Sequence, residues 1–166
     1  MKIYTTFYAS PLGLLKLAAT ADFVCSLLFV EEKTPIETEK VTNLPAFLQT
    51  CTQQLDEYFA HTRKEFTLPL QPQGTDFQQT VWQELQKIPF GKTISYMMLA
   101  KRLGNEKVIR AAGTANGKNP IAIIIPCHRV IGADGSLTGY AGGLHRKKWL
   151  LEHEGILKEQ TTLWQV

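Results

Sequence analysis

A mixed pattern of strands and one helix gives way to a mainly helical one across the linker Gln71-Pro72-Gln73-Gly74. A chain that changes pattern in this way cannot carry one sheet or one bundle through the break. An α/β (α+β) fold in two parts is therefore expected, residues 1–73 and residues 74–166. Upstream, Ile3–Tyr8 is β-branched and aromatic, Ser10-Pro11-Leu12-Gly13 reads as a turn, and Leu15-Lys16-Leu17 alternates. Phe23 to Val30 is a nearly continuous apolar run, suited to a strand covered on both faces. A polar stretch, Glu31 to Asn43, leads to Pro45, after which Phe47, Cys51, Leu55 and Phe59 recur at helical spacing. The spacing predicts a helix over Pro45–Phe59. Phe66 to Leu70 returns as a short strand, placed at a sheet edge by Pro69.

Downstream the pattern is helical. Thr75 or Asp76 can cap a helix carrying Phe77, Val81, Trp82, Leu85 and Ile88, which Pro89 and Gly91 end. Ser95 caps a second helix, Tyr96 to Leu103, closed by Gly104. A third runs from about Glu106 to Asn116, and the pair with its tight turn makes a helix-turn-helix. Ile121–Ile125 reads as a buried strand, Asp134-Gly135 as a hairpin turn, and Leu144–His153 as a last helix ending at Gly155. Trp82, Trp149 and Phe77 are expected in the core. Arg146-Lys147-Lys148 is read as a solvated face.

The formal net charge of +3 conceals an asymmetry. Residues 1–74 carry six Lys/Arg and eight Asp/Glu, a balance of −2; residues 75–166 carry twelve and seven, a balance of +5. A cationic second half suits a polyanionic partner. The longest apolar run, Ile121–Pro126, is far too short for a bilayer, and residues 1–6 lack a signal-peptide core, so an intracellular location is expected. Three scattered cysteines, Cys25, Cys51 and Cys127, argue against a disulfide framework, and none has zinc-ligand spacing. No metal and no other cofactor are expected.

Cys25, in an apolar strand, and Cys51, on a helix face, read as small buried hydrophobes. Cys127 differs: it follows a hydrophobic run and a proline and precedes His128 and Arg129. A thiol reacts as its thiolate, which a nearby cation or imidazole favours. Neighbours on an extended chain point to opposite faces, so contact between His128 and Cys127 requires a turn or a bridging water. No spacing connects either residue to Glu154, which alone reads as an exposed carboxylate at a helix end.

The segment Asn119-Pro120-Ile121-Ala122-Ile123-Ile124-Ile125-Pro126-Cys127-His128-Arg129-Val130 resembles the active-site signature of the O6-alkylguanine-DNA alkyltransferases, also called methylated-DNA–protein-cysteine methyltransferases. The likeness extends to Ser10-Pro11-Leu12-Gly13, Thr93-Ile94-Ser95-Tyr96, Arg110-Ala111-Ala112-Gly113, Thr138 to Leu144 and Trp149 to Gly155. It implies a small ribonuclease H-like N-terminal domain followed by a mainly helical, winged-helix-like domain with the helix-turn-helix. It implies irreversible, stoichiometric repair, in which an alkyl group moves from O6-alkylguanine, with O4-alkylthymine a further candidate, to Cys127. Under it, His128 takes the thiol proton through a water, Glu154 orients His128, and Asn119 braces the turn. Tyr96 donates towards the leaving guanine and crowds the phosphate of the flipped nucleotide. Tyr140 borders the extruded base, and Arg110 fills the space the base leaves. Ala111, Gly113 and Ala115 let the helix approach the minor groove; Ala141 and Arg129 complete the expected substrate and DNA contacts. The implied partner is double-stranded DNA carrying O6-alkylguanine, met by a monomer.

Three departures from the family pattern stand out. Some relatives carry an N-terminal zinc, but here the opening strands hold only Cys25 and no histidine precedes His61. Ala141 stands where serine is common, removing a side-chain donor, and Glu106 replaces a frequent proline. Two rival readings are an alkyltransferase-like protein that marks damage without repairing it, and a Cys–His hydrolase. Cys127 counts against the first; the helix-turn-helix and basic second half count against the second.

Overall fold

The computed structural model describes residues 1–31 and 44–156. Most of the polar stretch Glu31–Asn43 lies outside the described residues. Contacts divide the chain into two compact units: Met1–Gln73 with Pro120–Ala122, and Gly74–Asn119 with Ile123–Val166. A short piece of the distant Ile121 run thus belongs with the first unit, which a purely sequential boundary at Gly74 does not anticipate.

The first unit is an antiparallel sheet in the order β1 (Tyr4–Ser10), β2 (Gly13–Ala19), β3 (Val24–Phe29), with a helix α1 (Ala46–Phe59). The β1–β2 turn is set locally: Ser10 Oγ accepts from the Leu12 N–H at 3.1 Å and donates to the Gly13 carbonyl at 2.7 Å, and Gly13 adopts φ 118°. Leu15, Leu17, Val24 and Leu27 supply the buried face of the sheet. Leu48, Cys51, Leu55 and Tyr58 are buried at three- and four-residue spacing along α1. Gln54 joins them because its amide is fully used: it accepts from Thr67 N at 3.0 Å and donates to Thr67 Oγ1 at 2.9 Å.

Two expectations fail in this unit. Leu28 is 43% exposed, so β3 is not covered on both faces. The expected strand at Phe66–Leu70 shrinks to one parallel bridge, Leu70 with Val24, in which Pro69 contributes only its carbonyl. The same edge of β3 is covered further along by Pro120–Ala122, through Leu27 N–H to Pro120 O and Ala122 N–H to Leu27 O, both 2.9 Å. Together the two segments close an edge that would otherwise be open to pairing.

The second unit is built on α2 (Asp76–Leu85), α3 (Tyr96–Arg102), α4 (Ile109–Gly117) and α5 (Leu144–His153). Thr75 caps α2 in a reciprocal box with Gln78: each side chain accepts from the other's backbone N–H, at 3.1 and 3.0 Å. Trp82 ties α2 to α4 by donating its indole N–H to the Ala115 carbonyl at 2.9 Å. Ser95 caps α3 through Met98 N–H, and Gly104, at φ 86°, turns the chain towards α4. The expected third helix opens with a 3-10 turn at Glu106–Val108, capped by Asn105, before α4 begins. Short strands β4 (Ile94–Ser95) and β5 (Val130–Ile131) pair in parallel. The turn at Asp134-Gly135 closes on itself, Gly132 N–H to Ser136 O, and joins no strand pair. Of the three expected core aromatics only Trp82 is buried: Phe77 is 37% exposed, and Trp149 is half-buried, stacked on His153.

Replacing Thr75 by alanine removes one half of the capping box. The expected loss is about 1 kcal/mol, read as a lower denaturant midpoint with an unchanged slope; an unaltered midpoint would show that the cap contributes nothing.

Candidate active site

The run Ile121–Ile125, expected as a strand, is a buried turn. Among the described residues its only bridge is Ile121 with Leu27, and Ile123 sits at φ 71°, a strained conformation for a β-branched residue. Asn119 stabilises this turn by donating its amide to the Ile125 carbonyl at 2.8 Å. The Cys127 N–H also reaches Ile125 O, at 2.8 Å, and Asn116 donates to the Cys127 carbonyl at 3.3 Å. The backbone on both sides of Pro126 is thereby gripped by two amides from the end of α4.

Cys127, His128 and Arg129 form a single 3-10 turn. Its threefold spacing points successive side chains in three directions, not the two of an extended chain. All three side chains are buried. His128 Nε2 lies 2.7 Å from Glu154 Oε2. Arg129 grips the same carboxylate with Nε at 2.7 Å and Nη2 at 3.2 Å, and spends Nη1 on the Ile88 carbonyl at 2.7 Å. Glu154, read from sequence as exposed, is buried at the C-terminal end of α5. Arg129, expected at the DNA, is turned inward by this bidentate pair and offers no guanidinium to a phosphate.

The electrostatics follow from burial and from these contacts. Burial alone would raise the Glu154 carboxyl, but His128 and Arg129 outweigh it and hold the group well below the usual carboxylate range. Burial pushes His128 down, against the pull of Glu154, with Arg129 and Lys147 adding to the push. The imidazole is therefore neutral, with its proton on Nε2 facing the carboxylate. Its Nδ1 is buried and has no hydrogen-bond partner among the described residues.

Cys127 is 5% exposed. Burial pushes its pKa up; a hydrogen bond with Asn119 and the charge of Lys147 pull it down without overcoming that. The thiolate that a nearby cation or imidazole favours is thus not the resting form: Cys127 is held as a thiol. Burial likewise pushes Cys51 up, to about 11, against a smaller pull from a backbone hydrogen bond.

Two tyrosines stand at the thiol. Tyr96, the first residue of α3, donates its hydroxyl to the Thr138 carbonyl at 2.9 Å. Tyr140 is half-buried, with its hydroxyl covered and without a hydrogen-bond partner among the described residues, close enough to Cys127 for the two to interact electrostatically. Ala141 is exposed on the same loop. On α4, Arg110 and Ala111 face outward and Gly113 lies against the Tyr96 ring, where an added methyl would sit 3.6 Å away. Ala115, grouped with them from sequence, turns into the core and belongs to the contact with Trp82.

Sequence reasoning missed Lys147. It is completely buried, with Nζ 2.6 Å from Val130 O and 2.8 Å from Thr138 O. The signal was present: residue 147 shares a helical face with Leu150, Leu151 and Glu154, all buried. Among the described residues no group of three or more His, Cys, Asp or Glu is arranged to hold a metal ion, and no helix is long and apolar enough to cross a membrane.

A guarded thiol on a helical unit that also carries a helix-turn-helix defines a class of thiol-bearing, DNA-binding proteins. Two family models match: 6-O-methylguanine DNA methyltransferase, ribonuclease-like domain, over residues 3–72, and the DNA binding domain of the same family over residues 76–156. A methylated-DNA–protein-cysteine methyltransferase of Methanosarcina acetivorans is 45% identical, covering 92% of this chain and 99% of its own. The O6-methylguanine methyltransferase of Mycobacterium tuberculosis superposes with a TM-score of 0.81 at 43% identity, covering 98% of this chain and 99% of its own. The M. tuberculosis protein in complex with DNA gives 0.79 at 46% identity, over 89% and 90% of the two chains. The chain belongs to the methylated-DNA–protein-cysteine methyltransferase family.

The lowered His128 pKa has a consequence for stability. The unfolded imidazole gains a proton below its ordinary value of 6.5, whereas the folded one resists. The stabilisation is therefore complete above pH 6.5 and is lost as pH falls towards the depressed folded value, with a slope of at most about 1.4 kcal/mol per pH unit. Glu154, also depressed, adds its own loss only below its ordinary value of 4.5. Melting temperatures of His128→Gln should lack the first decline and keep the second; an unchanged first decline would place the titration elsewhere.

Proposed function

We propose that this protein repairs DNA by direct reversal, taking the alkyl group of O6-alkylguanine onto Cys127 Sγ in a single irreversible turnover. The observation that carries the reading is the neutral His128, oriented by Glu154, in one tight turn with a cysteine that has a cation and an amide beside it. Its unpartnered Nδ1 is the acceptor for the thiol proton, reached through a bridging water. Glu154, itself fixed by Arg129, keeps the ring in the tautomer that leaves Nδ1 open.

In the transfer the thiolate attacks the alkyl carbon, an S–C bond forms and the C–O bond to the base breaks. Tyr96 releases its hydrogen bond to Thr138 and gives its proton to the departing guanine; the proton lost by the thiol restores it. Nothing is oxidised or reduced, and the net change is one hydrogen exchanged for one alkyl group. The thioether has no easy hydrolytic route back, so each molecule reacts once.

The target atom lies inside the stacked duplex, so the nucleotide must be extruded at a cost of a few kcal/mol. In this reading Arg110, exposed on the first turn of α4, fills the gap, and Ala111 beside it allows close approach. Tyr140 borders the extruded base and Ala141 meets it with a backbone N–H. The covering of the thiol suits a group that reacts only when a base is delivered to it. A monomer acting inside the cell, where a free thiol persists, fits this chemistry.

Incubation with duplex DNA bearing methylated guanine, followed by peptide mass measurement, tests the proposal. One added methyl group on the Cys127 peptide, saturating at one per protein and absent in Cys127→Ala, is expected. A mobility shift of the DNA with no mass change would instead identify a damage-binding protein, and repeated turnover without an adduct would identify a hydrolase.

A further inference from the structure

Lys147 has no assigned task in the transfer, yet its setting is unusual. It is 0% exposed and has no ion-pair partner among the described residues. A buried cation without a counter-charge is expensive and persists only if something else compensates it. Two backbone carbonyls do so in part, those of Val130 on β5 and Thr138 on the loop that carries Tyr140. The Thr138 carbonyl is shared with the Tyr96 hydroxyl, and the ammonium also lies 5.8 Å from the centre of the Tyr96 ring. One ammonium hydrogen is left over. Cys127 lies close enough for its charged form to interact with the ammonium, so the compensation is completed only when the thiol loses its proton.

We propose that Lys147 is a positioning residue for Cys127, its buried ammonium supplying the charge against which the thiolate forms while its two carbonyl bonds hold the Tyr140 loop beside the sulfur. This deepens the transfer reading and rests on it. The other ionisable groups around Cys127 cannot serve. His128 is neutral, the Arg129 charge is consumed by Glu154, and Tyr96 and Tyr140 are raised by burial and carry no charge. Arg146, also on α5, donates to the Gly142 carbonyl at 3.1 Å from a half-buried position. Burial lowers Lys147 to about 8, with Cys127 pulling it back up, so the amine is still largely charged at neutral pH. As the thiol loses its proton the two groups titrate as a pair.

The proposal separates charge from hydrogen bonding, and so does its test. The ultraviolet thiolate absorbance of Cys127, taken as the difference from Cys127→Ala, is titrated in the wild-type protein, Lys147→Gln, Lys147→Met and Lys147→Arg. Both neutral variants should raise the apparent thiol pKa by at least about one unit, roughly a tenfold loss of thiolate near neutrality, whereas Lys147→Arg should stay near wild type. Single-turnover methyl transfer should slow by a similar factor in the neutral variants with DNA affinity little changed. Equal titrations in wild type and the neutral variants, or an equal shift in glutamine and arginine variants, would reduce Lys147 to a structural staple. Should Lys147→Gln not fold, Lys147→Met fills the same space and decides the matter. A wild-type protein that takes no methyl group would defeat the transfer reading and leave the thiol titration intact.

Discussion

The carboxylate of Glu154 is buried and accepts hydrogen bonds from two side of one turn, from His128 and from Arg129. A buried carboxylate facing a lone imidazole would draw a proton onto the ring and convert it to a cation. Arg129 prevents this by supplying the counter-charge first, with a two-pronged geometry that a lysine could not reproduce. The imidazole is then free to be what burial favours, a neutral ring with one nitrogen committed and the other open. Removing one partner of such a cluster leaves a buried charge unpaired, at about 3–5 kcal/mol. The same contacts that orient the base therefore hold the end of α5 to the turn that carries Cys127.

The thiol is managed in the opposite way. Its surroundings raise its pKa at rest, so the reactive anion is not stored in the unbound molecule. What surrounds it instead are groups able to act when the proton leaves: an open imidazole nitrogen, the ammonium of Lys147, and the amide of Asn119. A nucleophile that is protonated at rest and covered is protected from indiscriminate oxidation and alkylation, which matters for a side chain that can be used once. The strained Ile123 and the two asparagine amides fix the backbone on which all of this depends.

Much of the framework is legible in the sequence because it is dictated locally. Thr75 with Gln78, and Ser95, announce their helices through short-range capping that needs no tertiary partner. The α1 helix is read from apolar spacing but its face only in part: Cys51 and Leu55 are buried as expected, whereas Phe47 and Phe59 are half-buried and Leu48 and Tyr58 take the core positions. The failures have a common cause in long-range contacts. The Ile121–Ile125 run has the composition of a strand, but Asn119 captures the Ile125 carbonyl and β3 captures Ala122, so it turns. Arg129 and Lys147 read as surface charges because their compensating groups, Glu154 and the carbonyls of Val130 and Thr138, lie nine to twenty-five residues away in the chain. Charge argues for exposure only when nothing inside can answer it. The resemblance to a known signature brought Glu154 to His128; periodicity alone left it at a helix end.

The transfer chemistry depends on His128 being a neutral ring with its proton on Nε2 and a lone pair on Nδ1. Nitrogen NMR of the selectively labelled imidazole reads this directly. One protonated nitrogen, Nε2, and one bare nitrogen, Nδ1, are expected, persisting as pH is lowered past the ordinary histidine midpoint. An imidazolium at neutral pH, or a ring with its proton on Nδ1, would contradict it.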